Sequence, residues 1–141
     1  MIAETLVVDC SVAAAWLLPE ALRPQARRLV ELVNAGELSL IAPDLILAEF
    51  ASLIAKRARR KEISIPAARD VFNQMQRSVL HLFDTPPLLG PALELALRHH
   101  LSLWDCVYLA LAAQQNCSVI TADQRLFRDH SPRHPAIQLL S

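Results

Sequence analysis

The sequence predicts an α/β fold with helices on both faces of a parallel β-sheet of about four to five strands. Short β-rich apolar runs alternate with longer segments whose apolar residues recur at helical spacing. The first run, residues 5–8, lacks polar alternation, which is typical of a central strand buried on both faces. The 141 residues suffice for one such domain, which we expect to span residues 1–141.

Proline and glycine residues mark the ends of most predicted elements. Pro19 closes the first helix, Gly36 ends the second and Pro66 opens the fourth. The predicted strands are residues 5–8, 38–42, 80–83, 118–121 and, at one edge, 136–140. The predicted helices are residues 11–18, 24–35, 43–59, 67–79, 87–100 and an apolar helix whose first turn contains Asp105.

The composition excludes several kinds of function. Only two glycines are present, so the sequence cannot build a P-loop or a dinucleotide-binding loop. The 14 basic and 14 acidic residues cancel, so affinity for nucleic acid would have to come from a local patch. Three cysteines without CxxC spacing indicate a reducing compartment, and we see no signal peptide or transmembrane stretch. We therefore expect a cytoplasmic protein that does not bind membranes.

Glu49 stands out because it lies on an apolar helical stripe. Its neighbours one turn away include Leu45, Ile46 and Leu53. Burying an unpaired carboxylate is costly, so such a residue is usually paired, protonated or bound to a cation. A buried ion pair, or a position at a partly exposed edge, is the structural alternative to a functional role.

Three aspartates lie on connections between predicted elements. Asp9 follows the first strand, Asp123 follows the fourth, and Asp105 lies in the first turn of the apolar helix. Each also has a structural interpretation, because aspartate commonly caps or begins a helix. Right-handed crossovers make the carboxyl ends of the first and fourth strands neighbours, and the starts of the two helices that carry Asp105 and Glu49 meet the same edge. We therefore expect the four acids to cluster.

Four clustered carboxylates predict a site for a divalent cation. Two carboxylates about 4 Å apart repel by roughly 4 kcal/mol at a moderate effective dielectric constant, and a bound cation relieves that repulsion. Oxygen ligands without a nearby histidine or cysteine favour Mg²⁺ or Mn²⁺ over zinc. Such a site suits phosphodiester hydrolysis. The hydroxyls of Ser11 and Thr121 would orient a water or a carboxylate, or only make local hydrogen bonds.

Four parts of the sequence carry a family resemblance. They are VVDCSVAAAWLLPE, the helix that contains Glu49, LSLWDCVYLALA and VITAD. Together they resemble the PIN-domain ribonucleases, and most of all the VapC-type toxins of bacterial toxin-antitoxin pairs. The resemblance covers essentially the whole chain. It departs mildly at Trp104, where a tyrosine is common, and at Cys10 and Cys106, where alanine or threonine would be usual.

The resemblance implies a PIN-like three-layer α/β/α domain that cuts single-stranded or looped RNA with Mg²⁺ or Mn²⁺. The catalytic quartet would be Asp9, Glu49, Asp105 and Asp123. The metal ligands would come from Asp9, Asp105 and Asp123, with Asp9 and Asp105 the most direct, and Ser11 and Thr121 would be supporting hydroxyls. The resemblance also implies a homodimer, and a small antitoxin whose tail lies across the acidic groove and silences the enzyme.

One dense basic run is a candidate RNA-binding patch at the end of the helix that carries Glu49. It consists of Lys56, Arg57, Arg59, Arg60 and Lys61. These cations would contact RNA phosphates, or would only complement the helix C-terminus in solvent.

The apolar content suggests a buried subunit or partner surface. Hydrophobic residues make up 53% of the chain and aromatic residues only 5%. We therefore expect Trp16 and Trp104 in the core or at a subunit contact rather than as stacking platforms for bases.

Two other functions are compatible with an acidic cluster. A phosphoacceptor signalling domain also groups acids around Mg²⁺, but it needs a lysine at a strand end. The only lysines, Lys56 and Lys61, lie in the basic run. A non-catalytic module of the same fold would act through a binding partner instead.

Overall fold

A five-stranded parallel sheet forms the centre of the structure, a computed structural model that describes residues 3–141. The strands are β1 (Glu4–Val8), β2 (Leu38–Pro43), β3 (His81–Phe83), β4 (Ser118–Thr121) and β5 (Ile137–Leu139). Their order in the sheet is β3-β2-β1-β4-β5. Since β1 pairs with both β2 and β4, it is the central strand of the sheet. The predicted parallel sheet is confirmed.

Seven helices connect these strands within residues 3–141. They are α1 (Cys10–Leu17), α2 (Arg23–Asn34), α3 (Leu45–Arg59), α4 (Ile65–Gln76), α5 (Pro86–Arg98), α6 (Leu103–Gln114) and α7 (Gln124–His130). Right-handed crossovers place α1 to α4 on one face of the sheet and α5 to α7 on the other, which gives the predicted three layers. None of the described helices is both long and apolar enough to span a membrane.

Several predicted helix boundaries were wrong by two or three residues, and two of them border strands. Pro43 ends β2 instead of opening α3, because it still pairs in register with Phe83 of β3. The predicted fourth helix extended to residue 79, whereas α4 ends at Gln76. There the Ser78 N–H donates to the Met75 carbonyl, and this tighter turn leads the chain toward β3.

The core lies on both sides of β1 and holds the elements that carry the acids. Residues Leu6, Val7 and Val8 are all buried, as expected for a central strand covered on both faces. On one face α6 packs against β1, β2 and β4, and every residue from 106 to 112 is buried. A helix enclosed in this way cannot shift without opening voids, so its first turn is held firmly at the edge of the sheet.

Candidate active site

Asp9 directly follows β1 and caps α1. Its Oδ1 atom accepts hydrogen bonds from the backbone N–H groups of Ser11 (3.1 Å) and Val12 (3.3 Å) and from the Ser11 hydroxyl (2.5 Å). The structural interpretation of Asp9 as an N-cap is therefore correct. These hydrogen bonds all end on Oδ1 rather than Oδ2, so capping does not prevent Asp9 from binding a ligand.

The protonation of Asp9 is shifted by its surroundings. Burial raises the pKa of its carboxyl group above the ordinary value of 3.8. Hydrogen bonds from Ser11, Thr121 and Val12 lower the pKa, and the negative charge of Asp105 raises it further. A nearby cation would stabilise the charged carboxylate of Asp9, and would therefore oppose the effects of burial and of the Asp105 charge.

Two hydroxyl groups join the turn after β1 to the turn after β4. Ser11 Oγ accepts a hydrogen bond from the Ala122 N–H (2.8 Å) and lies 3.2 Å from Thr121 Oγ1. Thr121 Oγ1 in turn accepts from the Asp123 N–H (3.0 Å). Since the single hydroxyl proton of Ser11 goes to Asp9, the Thr121 hydroxyl is the one left to donate, to Ser11 or to Asp9. Both predicted supporting hydroxyls therefore belong to one hydrogen-bonded group with Asp9.

Asp105 lies in the first turn of α6, close enough to Asp9 for its charge to raise the pKa of Asp9. Its backbone N–H donates to the Ser102 hydroxyl (3.1 Å), so Ser102 is the cap of α6. Asp105 and Asp9 line the same small cavity. Burial raises the pKa of Asp105, Ser102 and His130 lower it, and the charge of Asp123 raises it again.

Glu49 reaches the site from α3 and is bound by a tyrosine. The Tyr108 hydroxyl donates to Glu49 Oε1. Burial raises the pKa of Glu49, this hydrogen bond lowers it, and the charges of Asp105 and Asp9 raise it further. Within residues 3–141, Glu49 takes part in no ion pair. The structural alternative of a buried ion pair is therefore wrong for the described part of the chain.

Sequence reasoning missed Tyr108, although the sequence contains a signal for it. Tyr108 is the only tyrosine, and it lies within an otherwise apolar helix, three residues after Asp105. A buried tyrosine hydroxyl usually finds a hydrogen-bond partner, and residues three apart share a helix face. Together these rules indicate a polar partner near Asp105.

Asp123 lies at the rim of the site and is exposed. Its Oδ1 atom accepts hydrogen bonds from the backbone N–H groups of Arg125 (2.9 Å) and Leu126 (3.2 Å), which caps α7. Its negative charge acts on Asp105. Asp123 is therefore electrostatically part of the acidic group but is more hydrated than the other three acids.

The four acids do not form a closed metal cage. In the part of the chain that the structure describes, no three His, Cys, Asp or Glu side chains are arranged to enclose one ion. This arrangement does not fit a structural zinc site, which needs four protein ligands. It fits a hydrated hard cation, because Mg²⁺ keeps several waters and usually binds one or two carboxylates together with substrate phosphates.

The predicted basic patch is only partly free to bind a ligand. Arg57 forms an ion pair with Glu20, in which Nη2 and Oε1 are 2.5 Å apart. The other four basic residues are exposed, namely Lys56, Arg59, Arg60 and Lys61.

Trp16 lies in the core, as expected, whereas Trp104 does not, and its alternative position at a subunit contact stays a prediction. The side chain of Trp104 is 54% exposed and lines an open groove beside Glu49. Trp104 precedes the first enclosed residue of α6 by two positions, so the ring lies outside the packed part of that helix.

The family described as PIN domain matches residues 6–131, and the chain belongs to that family. Within the family it is similar to the VapC ribonucleases. Ribonuclease VapC3 of Pyrobaculum aerophilum is 32% identical over 123 residues, which cover 86% of this chain and 91% of the relative. The resemblance inferred from the sequence is confirmed.

Solved structures show the same fold. VapC20 of Mycobacterium tuberculosis, described as a sarcin-ricin loop cleaving toxin, superposes with a TM-score of 0.66 and 20% identity, covering 89% of this chain and 95% of that chain. VapBC2 of Rickettsia felis, solved with a DNA fragment from its promoter, gives a TM-score of 0.67 at 13% identity and covers 96% of each chain. The predicted PIN-like three-layer architecture is confirmed.

Burial of the acids predicts a specific dependence of stability on pH. Without divalent cations, the free energy of unfolding should fall as the pH rises above 3.8, because a carboxyl group with a raised pKa binds its proton more tightly in the folded state. In Asp9→Asn, the free energy of unfolding should fall less as the pH rises. At neutral pH in EDTA, this variant should melt at a higher temperature than wild type. Thermal unfolding followed by circular dichroism over a pH series measures both effects.

The substitution isolates the charge, because asparagine caps helices about as well as aspartate. Asp70→Asn, at an exposed position of α4, serves as the control and should follow wild type at every pH. A lower melting temperature for Asp9→Asn at every pH would mean that the charge of Asp9 is stabilising and that the acids do not repel one another.

Proposed function

We propose that the chain is a metal-dependent endoribonuclease that hydrolyses RNA phosphodiester bonds, with residues 1–141 acting as one catalytic domain. The observation that carries this proposal is the convergence of Asp9, Glu49 and Asp105. The charge of Asp105 raises the pKa of both Asp9 and Glu49, and none of the three acids forms a salt bridge among residues 3–141. Membership of the PIN-domain family and similarity to a VapC ribonuclease support RNA as the substrate.

Asp9 and Asp105 are the residues that we assign to binding Mg²⁺ or Mn²⁺. They line one cavity. The Asp9 carboxylate accepts from N–H groups at the start of α1, and the Asp105 backbone N–H donates to the Ser102 hydroxyl that caps α6. Asp123 would contribute from the rim, through water or through its second oxygen. A bound divalent cation would lower the pKa of a coordinated water and neutralise charge on the phosphoryl oxygens.

We assign to Glu49 the role of orienting the attacking water and accepting its proton. Tyr108 occupies one of its oxygens, which fixes the orientation of the second oxygen. Its raised pKa lies closer to neutral pH than that of an ordinary glutamate, which suits a group that accepts a proton. Water oxygen would bond to phosphorus as the bond from phosphorus to the 3′ oxygen breaks, leaving 5′-phosphate and 3′-hydroxyl ends.

Ser11 and Thr121 are assigned to positioning. Their hydrogen bonds end on Asp9 and fix the orientation of its carboxylate relative to Asp105. Groups that orient a metal ligand typically affect metal affinity or activity by about 10- to 100-fold.

The two rival functions receive less support. A phosphoacceptor domain needs a lysine beside the acids, whereas Lys56 lies in the last turn of α3 and Lys61 follows that helix. A non-catalytic module would not need three partly buried carboxylates with raised pKa values, which destabilise the protein in the absence of a ligand.

We also propose that a small antitoxin protein binds the chain and silences it in the cytoplasm. The similarity to the VapBC2 structure supports a toxin-antitoxin pair. The free thiols of Cys10, Cys106 and Cys117 are consistent with a reducing compartment. Burial raises the pKa of Cys10 to about 12, so this thiol beside Asp9 stays protonated.

A homodimer through α5 is the subunit arrangement that we propose. Among the described helices and strands, α5 packs only against α6, and its outer face exposes Leu89, Leu93 and Leu97. This row is symmetric about Leu93, so two antiparallel copies can pair around a twofold axis. The zero net charge of the chain means that no long-range repulsion opposes this pairing.

Cleavage activity should depend on the acids in a graded way. Asp9→Asn and Asp105→Asn should each slow cleavage by more than about 100-fold, because they remove a proposed ligand, and Ser11→Ala by about 10- to 100-fold. An end-labelled, structured RNA incubated with Mn²⁺ or with EDTA measures the rates, and mapping of the ends identifies the products. Asp70→Asn should cleave like wild type. Full activity of a folded Asp9→Asn variant would refute the proposed function.

The oligomeric state should depend on Leu93. Leu93→Asp places a charge at the centre of the leucine row and should convert a dimer into a monomer, as measured by sedimentation velocity. Ile65→Asp changes an exposed apolar residue of α4 and should leave the dimer intact. A monomeric wild type, or a dimer that survives Leu93→Asp, would rule out pairing through α5.

A further inference from the structure

We propose that Trp104 is a stacking platform for an unpaired RNA base next to the cleavage site. The proposal rests on the ribonuclease function proposed above and adds a substrate-binding residue to it. The platform forms one wall of the Trp104 groove, which is lined by Leu45, Ala48, Glu49, Ser52 and Trp104.

Trp104 combines exposure with a fixed position. Its side chain is 54% exposed, although it lies in the first turn of α6, the helix with the most buried residues. Trp16, the other tryptophan, is only 6% exposed. A large ring held by a rigid helix and left open to solvent offers a flat apolar surface at low cost in conformational entropy. Such a surface suits a flat ligand.

The Trp104 groove is continuous with the acidic site. Glu49 belongs to both, and Asp105 directly follows Trp104 in the chain. The groove has a volume of about 370 Å³ and is open at the surface. A base that stacks on Trp104 would therefore place the adjoining phosphate beside the carboxylates, where the proposed hydrolysis occurs.

The opposite wall of the groove leads to exposed cations. Ser52 of α3 faces the groove, and Lys56 and Arg59 lie four and seven residues later, on the same side of the helix. Both are exposed, whereas Arg57 points to a different side and pairs with Glu20. An aromatic ring followed by a row of cations is the combination that binds single-stranded nucleic acid.

Charge favours RNA over a protein segment as the occupant. The cations beyond Ser52 complement a polyanion, and the small side chains of Ala48 and Ser52 leave room for a flat ring without forming deep pockets for apolar anchors. Stacking on a tryptophan tolerates any base, so Trp104 would contribute to affinity more than to sequence choice.

Tryptophan fluorescence tests the proposal directly, because each tryptophan can be removed separately. Trp16→Phe leaves Trp104 as the only tryptophan, and Trp104→Phe leaves Trp16. Each is combined with Asp9→Asn, which prevents cleavage, and titrated with a short single-stranded oligoribonucleotide of mixed sequence in Mg²⁺. We expect RNA to quench the Trp104 signal strongly and to leave the Trp16 signal unchanged.

Affinity gives a second readout. In the same Asp9→Asn background, Trp104→Ala should weaken RNA binding by about tenfold or more, whereas Trp104→Phe should retain most of the affinity because a ring remains. Ile65→Ala, at another exposed apolar position, should bind like the parent protein.

Three results would overturn the stacking role. They are a Trp104 signal that RNA leaves unchanged, equal RNA affinity for Trp104→Ala and the parent, and quenching of Trp104 by subunit association or by an antitoxin but not by RNA. Cleavage by the Asp9→Asn variants at the rate of the proteins that retain Asp9 would refute the proposed catalytic site instead, so the two failures are distinguishable.

Discussion

The parallel pairing of β1 with β4 is the interaction on which the site depends. Val8 pairs with Ile120, and the Asp9 N–H donates to the Ile120 carbonyl (3.3 Å), so the two strands stay in register to their last residues. The turns that follow therefore emerge side by side. Hydrogen bonds through Ser11 and Thr121 then join these turns, and the acids at the two strand ends lie at one edge of the sheet.

The site concentrates negative charge where the surrounding packing is most rigid. The buried helix α6 holds Asp105, and the Tyr108 hydroxyl on the same helix holds Glu49 of α3. Burial and mutual repulsion raise the pKa of these carboxyl groups, which costs stability while the acids are charged and no cation is bound. A cost of this kind is characteristic of functional sites, where activity requires groups that the fold alone would not favour.

The adjacency of β1 and β4 and the convergence of the acids could be predicted because they follow from local rules. A continuous apolar run predicts β1, right-handed crossovers make β1 and β4 neighbours, and Glu49 is conspicuous on an apolar stripe. The side-chain partners could not be predicted in the same way. Glu49 and Tyr108 are 59 residues apart, and Glu20 and Arg57 are 37 apart, so their contacts depend on how whole helices pack. Composition likewise could not decide between the core and a subunit contact for Trp104, because the exposure of one residue in the first turn of a buried helix is a local feature.

Direct measurement of Mn²⁺ binding by isothermal titration calorimetry tests the central claim, that the carboxylates at this edge form one cation site. Wild type and Asp70→Asn should bind Mn²⁺ equally in a saturable manner. Asp105→Asn should bind at least about tenfold more weakly, because it removes a proposed ligand. Equal Mn²⁺ affinity in all three proteins, or no binding to wild type, would contradict the account.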